Sequence, residues 1–315
     1  MRTHPTLPAR LTRRGLAVGT LAVSASLLLS GCASNGTASS GWLPQGTDGG
    51  QVTDHTGRVT SLWVGTWIAA LAVGLLVWGL TIWVMVRYRR RKEGIGLPPQ
   101  LRYNVPLEIL YTVIPVFMVA VLFYYTARDE SALLDVSVKP DVTVNVVAKQ
   151  WSWDFNYVTA DTYEAGTHAQ LTGQPGVEKT LPTLYLPVNK RTEFILTSRD
   201  VIHSFWVPQF LMKMDIIPGR INAFQVVTTE TGTFQGKCAE LCGAYHSQML
   251  FNVKVVSQAD YNKKMQQLRA KGNVGFLSNA LVRDTSTIEA QDQKKMQQYL
   301  PAGVLGSDIV TEGAK

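Results

Sequence analysis

The sequence predicts a membrane-anchored all-β protein: a two-helix transmembrane hairpin followed by a β-sandwich on the extracytoplasmic side. Three observations predict it. Two long apolar runs carry no charge, a dense basic cluster lies between them, and beyond them the apolar residues alternate with period two.

The first element is a processing signal. Arg2, Arg10, Arg13 and Arg14 precede an uncharged stretch from Gly15 to Gly31, as in a secretory signal peptide. The run ends in Leu-Ser-Gly-Cys, which resembles a bacterial lipobox and makes Cys32 the expected lipidation site. Arg13-Arg14 leaves both Sec and twin-arginine export open. Residues 1–31 are thus read as signal peptide, and 32–58 as an extracytoplasmic N-terminal segment.

The hairpin is read over 59–128. Val59–Val86 is free of charge and, at ~1.5 Å per residue, reaches ~42 Å, against a hydrocarbon core of ~30 Å. Trp63, Trp67 and Trp83 stand towards its ends, where interfacial tryptophans concentrate. The second run is Ile109–Ala127, with Pro115 expected near the helix start. Arg87, Arg89, Arg90, Arg91 and Lys92 between the runs make the connector cytoplasmic by the positive-inside rule. Both flanking segments are then extracytoplasmic, as the signal peptide independently requires.

The β-rich domain is read over 129–257. DVTVNVVAKQW alternates, and RTEFILTS, NAFQVVTT and MLFNVKVVS are further strand-like runs separated by turn residues. Residues 159–182 read as a loop insertion, and 258–315 as a polar, helical tail. The domain carries 13 acidic and 10 basic residues, so the positive balance of the chain, +7 overall, lies elsewhere and flanks the apolar runs. That distribution fits a membrane protein and excludes a nucleic-acid-binding domain.

The chemistry concentrates in CAELCGAYHSQM, residues 238–249, which holds Cys238, Cys242, His246 and Met249. Outside the cytoplasm free thiols oxidise, so the two cysteines are paired or metallated. A disulfide would leave His246 and Met249 unexplained. Zinc takes thiolate and imidazole, whereas a thioether suits copper. With His4 removed, the remaining histidines are His55, His168, His203 and His246, and His203 ends a strand-like stretch. A mononuclear blue-copper site needs one cysteine and two histidines. Two cysteines can instead bridge two coppers, with one imidazole each.

The pattern His203, Cys238, Glu240, Cys242, His246, Met249 resembles the CuA site of subunit II of haem–copper cytochrome c oxidases. The resemblance runs from about residue 59 to 257. It implies a cupredoxin-like Greek-key sandwich and a dinuclear copper centre in which both thiolates bridge and each metal takes one histidine. Met249 would complete the copper of His203, and the Glu240 carbonyl that of His246. The Glu240 carboxylate would face a magnesium or manganese ion shared with subunit I.

In the same family, the first tryptophan of a strip like QWSWDF, here Trp151, accepts electrons from the cytochrome. Ser152 and Asn156 depart from the tyrosine and acid of many relatives. LEILYTVIP resembles the start of the second membrane helix, which assigns Glu108 to the entrance of a proton pathway. MKMDIIPGRIN resembles a loop between the copper site and subunit I.

The resemblance implies a terminal-oxidase subunit in the bacterial plasma membrane. It would take electrons from a c-type cytochrome and pass them to haem in subunit I, for oxygen reduction coupled to proton translocation. Its partners would be subunit I, the other oxidase subunits, membrane lipid and the cytochrome, with a supercomplex containing a cytochrome bc complex left open. No CxxCH occurs, so no c-type haem is fused to the chain. The alternatives are a quinol-oxidase subunit II, the CuA domain of nitrous oxide reductase and a copper-delivery lipoprotein.

Overall fold

The computed structural model describes residues 42–46, 50–89, 102–168 and 180–277. The expected signal peptide, Cys32, Arg90, Arg91, Lys92, part of the insertion and the far tail lie outside the described residues.

Helix α1 runs Thr56–Arg87 and α2 runs Val105–Leu133, both long and apolar enough to cross a membrane. Helix α2 begins earlier than the uncharged run suggests. Asn104 caps it by accepting from the Leu107 amide at 3.4 Å, and Pro106 stands in its first turn. The Glu108 carboxylate reaches back to accept from the Asn104 amide at 2.9 Å. That reciprocal bonding at the helix start is a variant of the capping box. Pro115 is therefore inside the helix rather than at its start, a correction that follows from treating Glu108 as a boundary when it is part of the cap. At the domain end, Arg58 of α1 and Arg128 of α2 both pair with the buried Asp129, at 2.9 and 2.8 Å, tying the two helices together.

Among the described residues ten strands follow in two sheets: β1 Val142–Lys149, β2 Ser152–Tyr157, β3 Thr162–Glu164, β4 Thr183–Pro187, β5 Arg191–Ser198, β6 His203–Val207, β7 Met212–Ile216, β8 Asn222–Val227, β9 Gly232–Cys238 and β10 Leu250–Val256. One sheet is ordered β3-β2-β1-β5-β8, the other β4-β10-β9-β6-β7. β1 with β5 and β10 with β4 are parallel, and every other ladder is antiparallel. The expected cupredoxin-like sandwich is thus the fold. Its core is aromatic: Trp153 and Phe155 from one sheet meet Phe205 and Phe251 from the other. Gly236 lies opposite Phe251 in the ladder, and a Cβ there would fall 2.1 Å from the Phe251 ring, so only glycine lets that ring cross the strand.

Two stretches outside the β-rich segment complete the sandwich. Val52 is fully buried in the core. Around it Thr53 bridges Thr228, Thr229 donates its amide to the Val52 carbonyl, and Asp54 exchanges bonds with Val227. This strap covers the end of β8, at the edge of its sheet, and leads directly into α1. On the other side, α3, Gln258–Ala270, is capped by Ser257 and buries Tyr261, Met265 and Leu268. The expected polar tail is therefore amphipathic in its first part. Its buried residues recur at i, i+4 and i+7, a stripe the surrounding lysines and glutamines disguise. The stretch 159–182 is likewise not all loop, since β3 adds an edge strand to β2; three residues are too short to show alternation.

Candidate metal centre

Four segments converge at one end of the sandwich. His203 opens β6 and Cys238 closes β9, with Cys238 paired beside Phe205 in the ladder. The chain then loops through Cys242 and the short turn His246–Gln248 to Met249, and re-enters the sheet as β10. The loop base is closed by the Cys238 amide donating to the Met249 carbonyl at 3.0 Å, and the indole N–H of Trp153 adds a second bond to that carbonyl at 3.3 Å.

The donor atoms face one another. The Cys238 and Cys242 sulfurs are both buried and stand 3.8 Å apart, well beyond a disulfide bond of ~2.05 Å. His203 Nδ1 lies 3.8 Å from the Cys238 sulfur and His246 Nδ1 3.5 Å from that of Cys242. The Met249 thioether is 3.8 Å from Cys242, and the Glu240 carbonyl 3.2 Å from Cys238. His203, Cys238 and Cys242 present donors within 4.8 Å of one another. Every copper ligand expected from the sequence is thus brought together, whereas the Glu240 side chain is exposed. His55 and His168 are elsewhere, in the strap and beside Trp151.

Electrostatics favour shedding one proton readily and the second with difficulty. Burial opposes ionisation of Cys238, but the His203 imidazole and the backbone at Ser204 and Glu240 outweigh it and bring the thiol down to about 7. Burial and the neighbouring Cys238 thiolate push Cys242 up to about 12. A cation bridging the sulfurs would relieve that repulsion, since metals bind the deprotonated thiol. Asp200, missed at the sequence level, accepts from His203 Nε2 at 2.7 Å and from the Gln150 amide at 2.6 Å. Burial works against its charge, yet these bonds, His203 first, hold its carboxyl below the usual range. Nδ1 is left facing the sulfurs, as second-site carboxylates do for ligating histidines.

Trp151 is half-buried in the turn before β2, while Trp153 fills the core. Its indole N–H donates to the Cys242 carbonyl at 3.2 Å, and the Gln150 amide side chain to the same oxygen at 2.7 Å. Gly243, at φ +123°, permits that approach, since a Cβ there would stand 3.1 Å from the indole. Ser152 and Asn156 are not at the surface, being 4% and 1% exposed. Ser152 donates to the Thr167 carbonyl, and Asn156 clasps the Leu277 backbone by both its amide N and O. They fasten Thr167 of the insertion and Leu277 of the tail over the outer face of β2. The first five residues of MKMDIIPGRIN form β7, and the rest is mostly the turn that leads into β8.

Fold and site define a class: a cupredoxin-like domain on a two-helix anchor, with a thiolate, imidazole and thioether donor set of the kind that binds copper. The family described as cytochrome c oxidase subunit II, periplasmic domain, matches residues 142–256. A relative from Streptomyces avermitilis, "Probable cytochrome c oxidase subunit 2", is 50% identical over 256 residues, covering 72% of this chain and 80% of its own. "Cytochrome c oxidase subunit 2" of Mycobacterium tuberculosis (strain ATCC 25618 / H37Rv) is 34% identical over 308 residues, with 82% and 83% covered. The solved periplasmic domain of subunit II of cytochrome oxidase from Bradyrhizobium japonicum is 31% identical, covering 42% of this chain and 97% of that one at a TM-score of 0.38. The chain belongs to the cytochrome c oxidase subunit 2 family. It is an electron-transport subunit that works with the other subunits of an oxidase, and its family carries copper in this domain.

Proposed function

We propose that this chain is the electron-accepting subunit of the oxidase, and that its donor set holds two coppers rather than one. The observation that carries this is the pair of free, buried thiols, 3.8 Å apart, with an imidazole nitrogen beside each. Cys238, Cys242, His203, His246, Met249 and the Glu240 carbonyl would hold the two coppers. Bound there, a copper pair supplies a one-electron store spread over two metals and two sulfurs. The protein's part is to keep the ligands fixed through both redox states, which the β9–β10 loop base and Asp200 do. Of the alternatives, a copper-free quinol-oxidase subunit does not use such a donor set.

The finer parts of the reading are that Trp151 receives the electron from a c-type cytochrome and that haem in subunit I takes it onward. The Glu240 carboxylate, exposed beside the site, is free to meet a magnesium or manganese ion shared with that partner. The hairpin crosses the bacterial plasma membrane with Arg87 and Arg89 on the cytoplasmic side, and Cys32 carries the lipid. Metal analysis with EPR of the full chain tests the centre: two coppers per chain and a spectrum delocalised over both are expected, with both lost in His246→Ala. One copper with a four-line signal would overturn it. Glu108, at the cytoplasmic end of α2, is the proposed proton-pathway entrance as well as a helix cap. Glu108→Gln should slow proton uptake and turnover in the assembled oxidase, and an unchanged rate would remove that role.

A further inference from the structure

Trp151 does not stand alone at the surface. Its ring meets Tyr245 edge-to-face at 4.9 Å and His168 at 6.1 Å, and His168 meets Tyr245 at 5.0 Å, with interplanar angles of 76°, 76° and 83°. The three rings thus meet pairwise in T-shaped contacts and close into a cycle. Tyr245 comes from the ligand loop, between Cys242 and His246, while His168 comes from the insertion after β3. Both are exposed, so the cycle lies on the outside of the domain.

The histidine is held from beneath. Asp154, fully buried, accepts from Lys149 at 2.7 Å and lies 3.3 Å from Arg199. The same carboxylate accepts from the Gly166 amide at 2.9 Å, and two positions before Asp154, Ser152 donates to the Thr167 carbonyl at 2.8 Å. These bonds fix the two residues ahead of His168 to β2, the strand that begins immediately after Trp151. An ion cluster centred on the buried Asp154 therefore sets where the imidazole sits relative to the indole.

We propose that Tyr245 and His168 are positioning residues for electron acceptance: they brace the Trp151 indole so that its N–H stays on the Cys242 carbonyl, and His168 joins the electron-accepting site. The physical reason is that a half-exposed indole with a single hydrogen bond is free to swing, and edge-to-face neighbours on two sides remove that freedom. The inference rests on the reading of Trp151 as the residue that receives the electron.

The test uses the assembled oxidase with a soluble c-type cytochrome, comparing the first-order rate of electron transfer at saturating donor, the donor affinity by biolayer interferometry and the copper EPR spectrum. His168→Ala and Tyr245→Ala are each expected to slow the first-order step about three- to ten-fold, the worth of one aromatic pair, with the copper spectrum retained. Tyr245→Phe should restore the rate, because the brace uses the ring and not the hydroxyl. Rates in both alanine variants equal to the native one, with Trp151→Ala slow, would overturn the brace and leave Trp151 in place. A native rate in Trp151→Ala would overturn the underlying reading instead. If Tyr245→Ala disturbs the copper spectrum through its neighbour His246, His168→Ala decides alone.

Discussion

Asp200 governs what His203 can do as a ligand. By accepting from Nε2 at 2.7 Å it fixes the ring's tautomer and aims Nδ1 at Cys238. Asp200→Ala should lower copper affinity about 10- to 100-fold, measured by competition against a chelator, with the circular dichroism of the domain unchanged. The six proposed ligand residues were legible in the sequence because cysteine, histidine and methionine are rare and their spacing is chemical. Asp200 was not, since an acid in a loop is common and only the folded distance gives it a role. Ser152 and Asn156 show the reverse. They stood out as departures from relatives, yet they are internal fasteners that hold Thr167 and Leu277, from the chain's own insertion and tail, over the strand they sit on. Long-range cover of that kind leaves no local mark in a sequence.

At the scale of elements the same cover explains β5. A half-buried strand should alternate, but Arg191–Ser198 is buried on both faces after its first residue. It is the fourth strand of its sheet, with the aromatic core on one side. On the other, Gln225 of β8 bonds to the Val138 carbonyl and closes over Glu193. Burial raises the carboxyl of Glu193 above its ordinary value, with the Gln225 amide only partly offsetting it. A folded-state value above the unfolded one means that the native protein binds the proton more tightly. Stability from this group is therefore full below the unfolded value and is lost as pH rises through the folded one. At neutral pH the charge destabilises the domain, so Glu193→Gln should unfold at higher denaturant concentration there. The gain should vanish once pH drops below the ordinary carboxylate range. Equal midpoints for the two proteins at pH 7 would contradict this account of the strand.

For the whole molecule the sequence suggested a division into anchor, domain and tail, and chain order made that division look clean. The fold does not respect it. Val52, which precedes the first membrane helix, is a core residue of the sandwich, and the strap around it covers the end of the last strand of a sheet. Only then does the chain enter α1, leave by α2 through the Asp129 clamp, and begin β1. The two helices are therefore inserted between parts of one folded unit. This has a consequence for any soluble form. A chain cut to residues 135–277 keeps the ten described strands, α3 and every proposed copper ligand, but it loses the strap. It should be less stable than the same chain supplied with residues 50–55, by about 1.5–3 kcal/mol for the buried valine alone. It should also self-associate, since β8 would present unpaired backbone at a sheet edge. Denaturant midpoints and sedimentation of the two forms measure both effects. Equal stability and a monomer in each would mean that the strap is an ornament of the anchor and not part of the domain.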